Sequence, residues 1–398
     1  MTLMGGVNDM LWTKEALFFK DIPKGYRENE KIMFAGVDFS GIQGFIYQND
    51  NMESLNEITR RSEYIQRLTV KMNEELIEIL EGYSYIPITV SSGKIQAIIK
   101  NNKRARSVLR AYLEKMQGIV FVENQAKIQI FYGITYAWIR SRNCEGYDSA
   151  LFTLMNVIER NKYQSANLYE LDPEHSGDDR YSICSVLPLR ECENSVNLDS
   201  FKLAAVKMDF DNLGNLFSNL KEADVKADVS ATIIEIIEKA VTGIENIHLI
   251  YAGGDDIFFI CPFTYILETI QIAYLNIRRR IYEEDSLADY RKDFGISCGV
   301  CVFHRDVPMI HYMDNAEKEL LKSKGKGKNQ ITVENLSFGW EEWQELNEIM
   351  SRCSHIINSK KREDMQSFKF KHFLQVLSEN ACEFKEREYI KRLLERDQ

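Results

Sequence analysis

Tyr251-Ala-Gly-Gly-Asp-Asp-Ile-Phe-Phe-Ile260 decides the reading of this chain. Two glycines and two adjacent aspartates interrupt an apolar run with strand character on both sides. The pattern predicts a hairpin that holds two carboxylates at the tip of a sheet. Glycine permits the tight turn and lets the backbone approach a phosphate. Paired carboxylates are hard oxygen donors suited to magnesium or manganese.

Working outward, the hairpin belongs to the second copy of a weak internal repeat. Val37-Asp-Phe-Ser-Gly-Ile-Gln-Gly-Phe-Ile46 parallels Met208-Asp-Phe-Asp-Asn-Leu-Gly-Asn-Leu-Phe217. Each copy has an apolar strand, then Asp-Phe, then a polar turn and the start of a helix. Ile88-Thr-Val-Ser-Ser-Gly-Lys-Ile95 follows the first copy as the Gly-Gly-Asp-Asp hairpin follows the second. With helical patterns near 52–81, 102–116, 223–243 and 263–282, each copy reads β-α-β-β-α-β. The strands fall near 31–38, 84–91, 94–100 and 127–136, then near 203–209, 246–252, 256–262 and 295–303. The expected fold class is α+β, with two ferredoxin-like domains and a small C-terminal α-helical domain. The expected boundaries are an N-terminal extension 1–30, a first domain 31–160, a linker or reduced insertion 161–200, a second domain 201–335, and helices over 336–398. No strand signal is seen after Val333.

Composition narrows the classes. The chain has 398 residues, 44% of them hydrophobic, and a formal net charge of −10, which argues against a general nucleic-acid binder. No apolar run approaches the roughly 18 residues that a membrane helix needs. No secretory signal is read at the N-terminus. Among the eight cysteines, Cys184/Cys192 and the Cys298-Gly-Val-Cys301 pair lack matching partners at metal spacing, so reduced thiols and a cytoplasmic location are expected. Lys103-Arg104-Ala-Arg106 and Arg278-Arg279-Arg280 read as solvated helix faces.

Nucleotidyl transfer needs carboxylates that hold two cations about 3.5–4 Å apart, amides around the phosphates, and basic groups against the remaining charge. The predicted topology lays Asp209 beside Asp255 and Asp256, which become the candidate catalytic and metal-binding trio. Asp211 is a further candidate ligand, although at the strand exit it is expected to point away. Gly253, Gly254, Asn212 and Gly214 are expected against the substrate, the last two at a helix start where free amides favour phosphate. In Leu320-Leu-Lys-Ser-Lys-Gly-Lys-Gly-Lys-Asn329, Lys324 and Lys328 are placed on the triphosphate. Each segment alone has a plain structural explanation as a turn, an N-cap or a solvated helix end. Their joint occurrence in this order points to chemistry. The first copy lacks the acidity: Asp38 stands alone and its hairpin reads Ser91-Ser-Gly-Lys94. A second nucleotide at Ser40, Gly41 and the Ser91–Gly93 turn, or a purely structural role, are both open there.

Residues 38–47, 209–214, 253–256 and 323–329, in that order, resemble the paired palm domains of the large subunit of type III CRISPR effector complexes, over roughly 31–335. The chain also resembles, more distantly, the GGDEF diguanylate cyclases. The first resemblance implies condensation of ATP into 3′–5′ cyclic oligoadenylates in antiviral defence, triggered when target RNA joins a guide-RNA complex of several effector subunits. Asp255 and Asp256 would be the signature aspartates and Asp209 their metal-binding partner. Ser40 and Gly41 would lie at a second ATP. Typical members begin with an HD nuclease domain. Here no His-Asp dipeptide occurs, and about 30 residues precede the first palm, so DNA cleavage by that domain is not expected. The four-cysteine zinc module is absent or reduced to Cys184 and Cys192, so no structural zinc is expected. A non-enzymatic scaffold subunit and a stand-alone cyclic dinucleotide synthase using GTP are the rival readings. No membrane contact is expected, and a homodimer with facing palms is open beside a self-sufficient chain.

Overall fold

A computed structural model describes residues 15–46, 55–124, 127–141, 147–164, 202–292, 294–304, 309–359, 370–381 and 383–395. It is a mixed α/β fold with two sheets and a C-terminal helical bundle. Two compact units divide it. Among the described residues, the first comprises 15–46, 60–164 and 214–232, and the second 55–59, 202–213 and 233–395. Most of the expected segment 161–200 lies outside the described residues, as do Cys184 and Cys192.

In the first unit the strands are β1 (Ala16–Phe19), β2 (Lys31–Ser40), β3 (Ile86–Ser91), β4 (Lys94–Lys100) and β5 (Gln129–Ser141), in the spatial order β1-β5-β2-β4-β3. Strand alternation divides the residues of β2 between two cores. Met33, Ala35, Val37 and Phe39 pack with Ile65, Leu68 and Met72 of α2 (Leu55–Ile79) and with Leu109, Leu113 and Met116 of α3 (Lys103–Glu123). Ile32 and Phe34 face Leu154 and Ile158 of α4 (Tyr147–Gln164). Each buried large apolar side chain contributes about 1.5–3 kcal/mol. The Asn102 side chain caps α3 by accepting from the amides of Arg104 and Ala105, at 2.7 and 3.4 Å. A five-residue helix, α1 (Ile42–Ile46), follows β2.

The second unit repeats the plan. β6 (Lys202–Asp211), β7 (His248–Gly253), β8 (Asp256–Pro262) and β9 (Gly295–His304) are joined by β10 (Gln330–Val333) and β11 (Leu336–Gly339), in the order β11-β10-β9-β6-β8-β7. The connecting helices are α5 (Leu213–Asn219), α6 (Ala223–Val241), α7 (Ile266–Glu283) and α8 (Met309–Gly325). α5 from Gly214 onward and α6 up to Thr232 group with the first unit. The bundle is α9 (Trp340–Ser359), α10 (Phe370–Asn380) and α11 (Phe384–Glu395). Its core is aromatic: Trp343 is fully buried against Phe338 and Phe370, and its indole N–H donates to the Leu267 carbonyl at 3.2 Å.

Three features depart from the sequence reading. The stretch read as an extension contains β1, whose four buried residues add a parallel edge strand to β5. The segment after Val333 is not purely helical: β10 and β11 form a hairpin through Glu334 and Asn335, at φ 46° and 74°. Positive φ at both turn positions matches the strand twist. Helix α4 was not anticipated and runs past residue 160.

A glycine lets one helix lie close to its sheet in each unit. A Cβ on Gly299 of β9 would come 2.1 Å from the Leu320 amide nitrogen and 2.3 Å from the Ala316 carbonyl oxygen of α8. On Gly133 of β5 it would come 2.9 Å from Ile158 Cγ1 of α4. Asp38 is partnered by Phe131 and Asp209 by Ser297, so both glycines stand two residues beyond the partner of the strand aspartate.

Candidate active site

Antiparallel pairing of β6 with β8 sets Asp209 directly opposite Asp256. Directly paired residues share a face, with their Cβ atoms about 5 Å apart. Gly253 pairs with Asp256, so Gly254 and Asp255 form a two-residue turn, with φ 67° at Gly254. A Cβ at Gly254 would meet open space, so backbone conformation, not crowding, requires the glycine. The Phe210 amide donates to the Asp255 carbonyl at 3.3 Å and ties the turn to β6. Asp255 is exposed, while Asp209 and Asp256 are half-buried.

The charges face one another. Burial first, then Asp256 and Asp255, push the Asp209 carboxyl up to about 7 against the opposing pull of Lys324. Burial also raises Asp256, with Asp255 and Glu317 adding to it and Lys207 and Lys324 opposing. Like charges in a shielded place favour protonation or a cation between them. Lys324 Nζ supplies the cation, 2.7 Å from Asp209 Oδ1. Among the described residues, no group of three or more His, Cys, Asp or Glu is gathered as a metal cluster.

Lys207 was missed in the sequence. It precedes Asp209 by two residues on the same face of β6 and pairs with Glu317 of α8. Burial works to lower its pKa, but Asp256, Glu317 and Asp209 raise it overall. The available signal was a lysine inside the apolar run Leu203-Ala-Ala-Val-Lys-Met208, in phase with the aspartate.

Lys328 Nζ donates to Asn212 Oδ1 at 2.6 Å, so Asn212 and the lysine loop meet. Asp211 is buried, 2% exposed, and lies on the same face as Asp209, against Ser297, the ladder partner of Asp209; the expectation that it points away does not hold. Its carboxylate accepts from Ser297 Oγ and from the Asn329 amide. Gly214 lies in the first turn of α5 and groups with the first unit, as do Ser40 and Gly41. Ser40 ends β2 opposite Gln129. Gly41, at φ 83°, leaves no room for a Cβ, which would fall 2.2 Å from the Lys127 carbonyl oxygen. Asp38 pairs with Lys162 of α4 at 2.5 Å and faces Lys94 across the ladder.

Two α/β units, one of them carrying an acidic hairpin opposite a strand aspartate, define the class of protein. Comparison with known proteins gives the family. Residues 202–332 match the model of the Cas10/Cmr2 second palm domain, and residues 31–172 match that of Csm1 subunit domain B. Together these matches cover well over half of the chain, which belongs to the Cas10/Csm1 family. A curated relative from Enterococcus italicus, a CRISPR system single-strand-specific deoxyribonuclease Cas10/Csm1 of subtype III-A, is 26% identical over 117 residues, 29% of this chain and 15% of its own length. The solved Csm1-Csm4 cassette in complex with cA3 aligns with a TM-score of 0.62 at 17% identity, over 82% of this chain and 59% of that one. Csm1 of T. onnurineus aligns at 0.58 and 18% identity, over 81% and 57%. The chain therefore spans less than two thirds of the relatives it matches. Among the described residues, no helix is long and apolar enough to cross a membrane.

Proposed function

We propose that this chain condenses ATP into cyclic oligoadenylate as the palm-bearing subunit of a type III CRISPR-type defence complex. The observation that carries the reading is the direct opposition of Asp209 and Asp256, with Asp255 in the adjoining turn. We read each β-α-β-β-α-β unit as a ferredoxin-like palm, with residues 31–160 the degenerate one and residues 201–335 the active one. Solved relatives of the same family support the ligand class: Csm1-Csm4 cassettes are known in complex with AMPPNP, with one ATP, with pppApA and with cA4. Partnership with other effector subunits, and with guide and target RNA, follows from the same relationship.

The residues fit divalent cations. Two carboxylates are raised by burial and mutual repulsion, and a lysine ammonium already occupies the cationic position beside Asp209. Asp209, Asp255 and Asp256 would hold Mg2+ or Mn2+, which when bound supplies Lewis acidity and positive charge for phosphoryl transfer. The protein does the rest. Gly253 and Gly254 bring backbone to the phosphates. Lys324 and Lys328 offset the triphosphate charge, with Asn212 steering Lys328 and Gly214 opening the following helix. A 3′-hydroxyl attacks an α-phosphorus, the new P–O bond forms, the bond to the bridging β-phosphate oxygen breaks to release pyrophosphate, and the hydroxyl proton passes to solvent. Ser40 and Gly41 are our candidates for a second nucleotide.

The test is product analysis by mass spectrometry with ATP and Mn2+, on the chain assembled with its effector partners and target RNA. Asp255→Ala with Asp256→Ala should abolish cyclic product while circular dichroism stays unchanged. Undiminished product from that variant would sink the proposal.

A further inference from the structure

We infer that Asp211 is a positioning residue for the triphosphate, locking the lysine-bearing segment 324–329, the end of α8 and the turn after it, beside the carboxylates. The inference rests on the nucleotidyl-transfer reading of this same site. Two sequence motifs more than 100 residues apart interlock through three side chains of the strand exit. Asp209 takes Lys324, Asp211 takes the Asn329 amide, and Asn212 takes Lys328. The strand exit is thus a docking strip for the loop.

Asp211 is the central point of attachment. A buried carboxylate is costly unless its oxygens are hydrogen-bonded. Ser297 Oγ lies 2.8 and 2.9 Å from the two oxygens, and the Asn329 amide donates to Oδ2 at 2.7 Å. Opposite Asp211 in the ladder stands Gly295, where a Cβ would lie 2.8 Å from Oδ2 and 3.3 Å from the Asn329 Cβ. The cradle is sized for this carboxyl. Asn329 is held a second time, its Oδ1 accepting from the Ile296 amide at 3.3 Å.

The loop needs holding. Gly327, Lys328 and Asn329 have φ of 123°, 65° and 49°. Left-handed backbone at consecutive non-glycine residues is unfavourable and persists only when the surroundings fix it. Released from Asp211, these residues would relax and carry Lys328 away from Asn212. At the other end, Ser323 is fully buried, its hydroxyl donating to the Cys298 carbonyl at 2.8 Å, so the anchor on that side does not depend on Asp211.

The test compares the wild-type chain with Asp211→Ala, Asp211→Asn and Ser297→Ala. Hydrogen exchange by mass spectrometry reads the loop. Calorimetry reads binding of AMPPNP and of AMP, each with Mn2+. In the alanine variant, exchange within 324–329 should quicken about tenfold or more and AMPPNP affinity should fall about tenfold, with AMP affinity unchanged. Ser297→Ala should act in the same direction with a smaller effect. The asparagine variant, which can still accept from Asn329, should restore most of both. Unchanged loop exchange in Asp211→Ala overturns the inference. So does loosening spread through the whole second unit, the mark of a plain core role. An asparagine variant as impaired as the alanine overturns it in favour of a direct ligand role. A wild-type chain that binds no AMPPNP overturns the nucleotidyl-transfer reading and this inference with it. Tight AMPPNP binding by Asp211→Ala overturns the inference alone.

Discussion

The first unit holds a strand aspartate in the same backbone bracket as the second, yet surrounds it with the opposite charge. In the first, the Phe39 amide donates to the Gly93 carbonyl; in the second, the Phe210 amide donates to the Asp255 carbonyl. Asp38 and Asp209 occupy matching positions on their strands, and each meets a lysine associated with the helix beyond the fourth repeat strand, Lys162 or Lys324. The residue across the ladder differs: Lys94 faces Asp38, whereas Asp256 faces Asp209. The first aspartate is therefore neutralised by the chain itself. The second stands among carboxylates that raise one another's pKa, with Lys324 and Lys207 only partly opposing them. Under the proposed function, scaffold and chemistry are separable, and residues 255 and 256 decide which unit has the chemistry.

The sharpest way to break that comparison is to write the first hairpin into the second. Asp256→Lys with Asp255→Gly should lower cyclic product by about a thousandfold or more, since the cation site is replaced by an ammonium. The melting temperature should hold or rise, because carboxylate repulsion is relieved. Product formation within tenfold of wild type would show that the hairpin charge does not distinguish the units. A smaller effect is expected from the glycines under the helices. Gly299→Ala sets a methyl against α8 backbone that cannot rotate away and should cost about 3 kcal/mol. Gly133→Ala meets mainly the Ile158 and Val157 side chains and should cost about 1–2 kcal/mol. Denaturant unfolding of the two variants checks the order.

Much of this plan could be read before any coordinates. The Gly-Gly-Asp-Asp turn interrupts a continuous apolar run, and the repeat strands are apolar runs bounded by polar turns, so the eight repeat strands fall within a few residues of expectation. What escaped was short or tertiary. Leu336–Gly339 has four residues, too few for a period, and its Glu-Asn turn lacks the glycine that flags a hairpin. Ala16–Phe19 is apolar throughout, as suits a buried edge strand, and shows no alternation. Lys207 was hidden because one lysine in a strand has no meaning until its diagonal neighbour Asp256 is known. The role of Asp211 needed the loop at Asn329, which no local pattern brings to it.

Protonation gives a further probe of the second unit. The Asp209 carboxyl lies near 7 in the folded chain, above its ordinary value of 3.8. The folded state thus binds the proton more tightly than the unfolded state, and stability declines as pH rises from about 4 to about 7, then levels off. Asp209→Asn lacks this group. Its melting temperature relative to wild type should therefore climb through that window by a few degrees and stay flat above it. A difference independent of pH would mean that Lys324 fully offsets the burial of Asp209.

The smallest expected effect tests the other side of the comparison. Lys162 pairs with both Asp38 and Glu159, and Asp38 also has Lys94 opposite. Burial works to lower the Lys162 pKa, but the two carboxylates raise it overall, so the ammonium stays charged throughout the ordinary pH range. Replacing it by methionine removes one of two cations near Asp38 and keeps the aliphatic stem. The pair is partly exposed, so the cost should be about 1 kcal/mol or less, and cyclic product should be unchanged. Lys324→Met, the matching change in the second unit, should weaken triphosphate binding about tenfold, since it removes a cation from the phosphate side. Equal losses of product from the two variants would mean that the first unit takes part in the chemistry, and that the charge difference between Lys94 and Asp256 does not separate their roles.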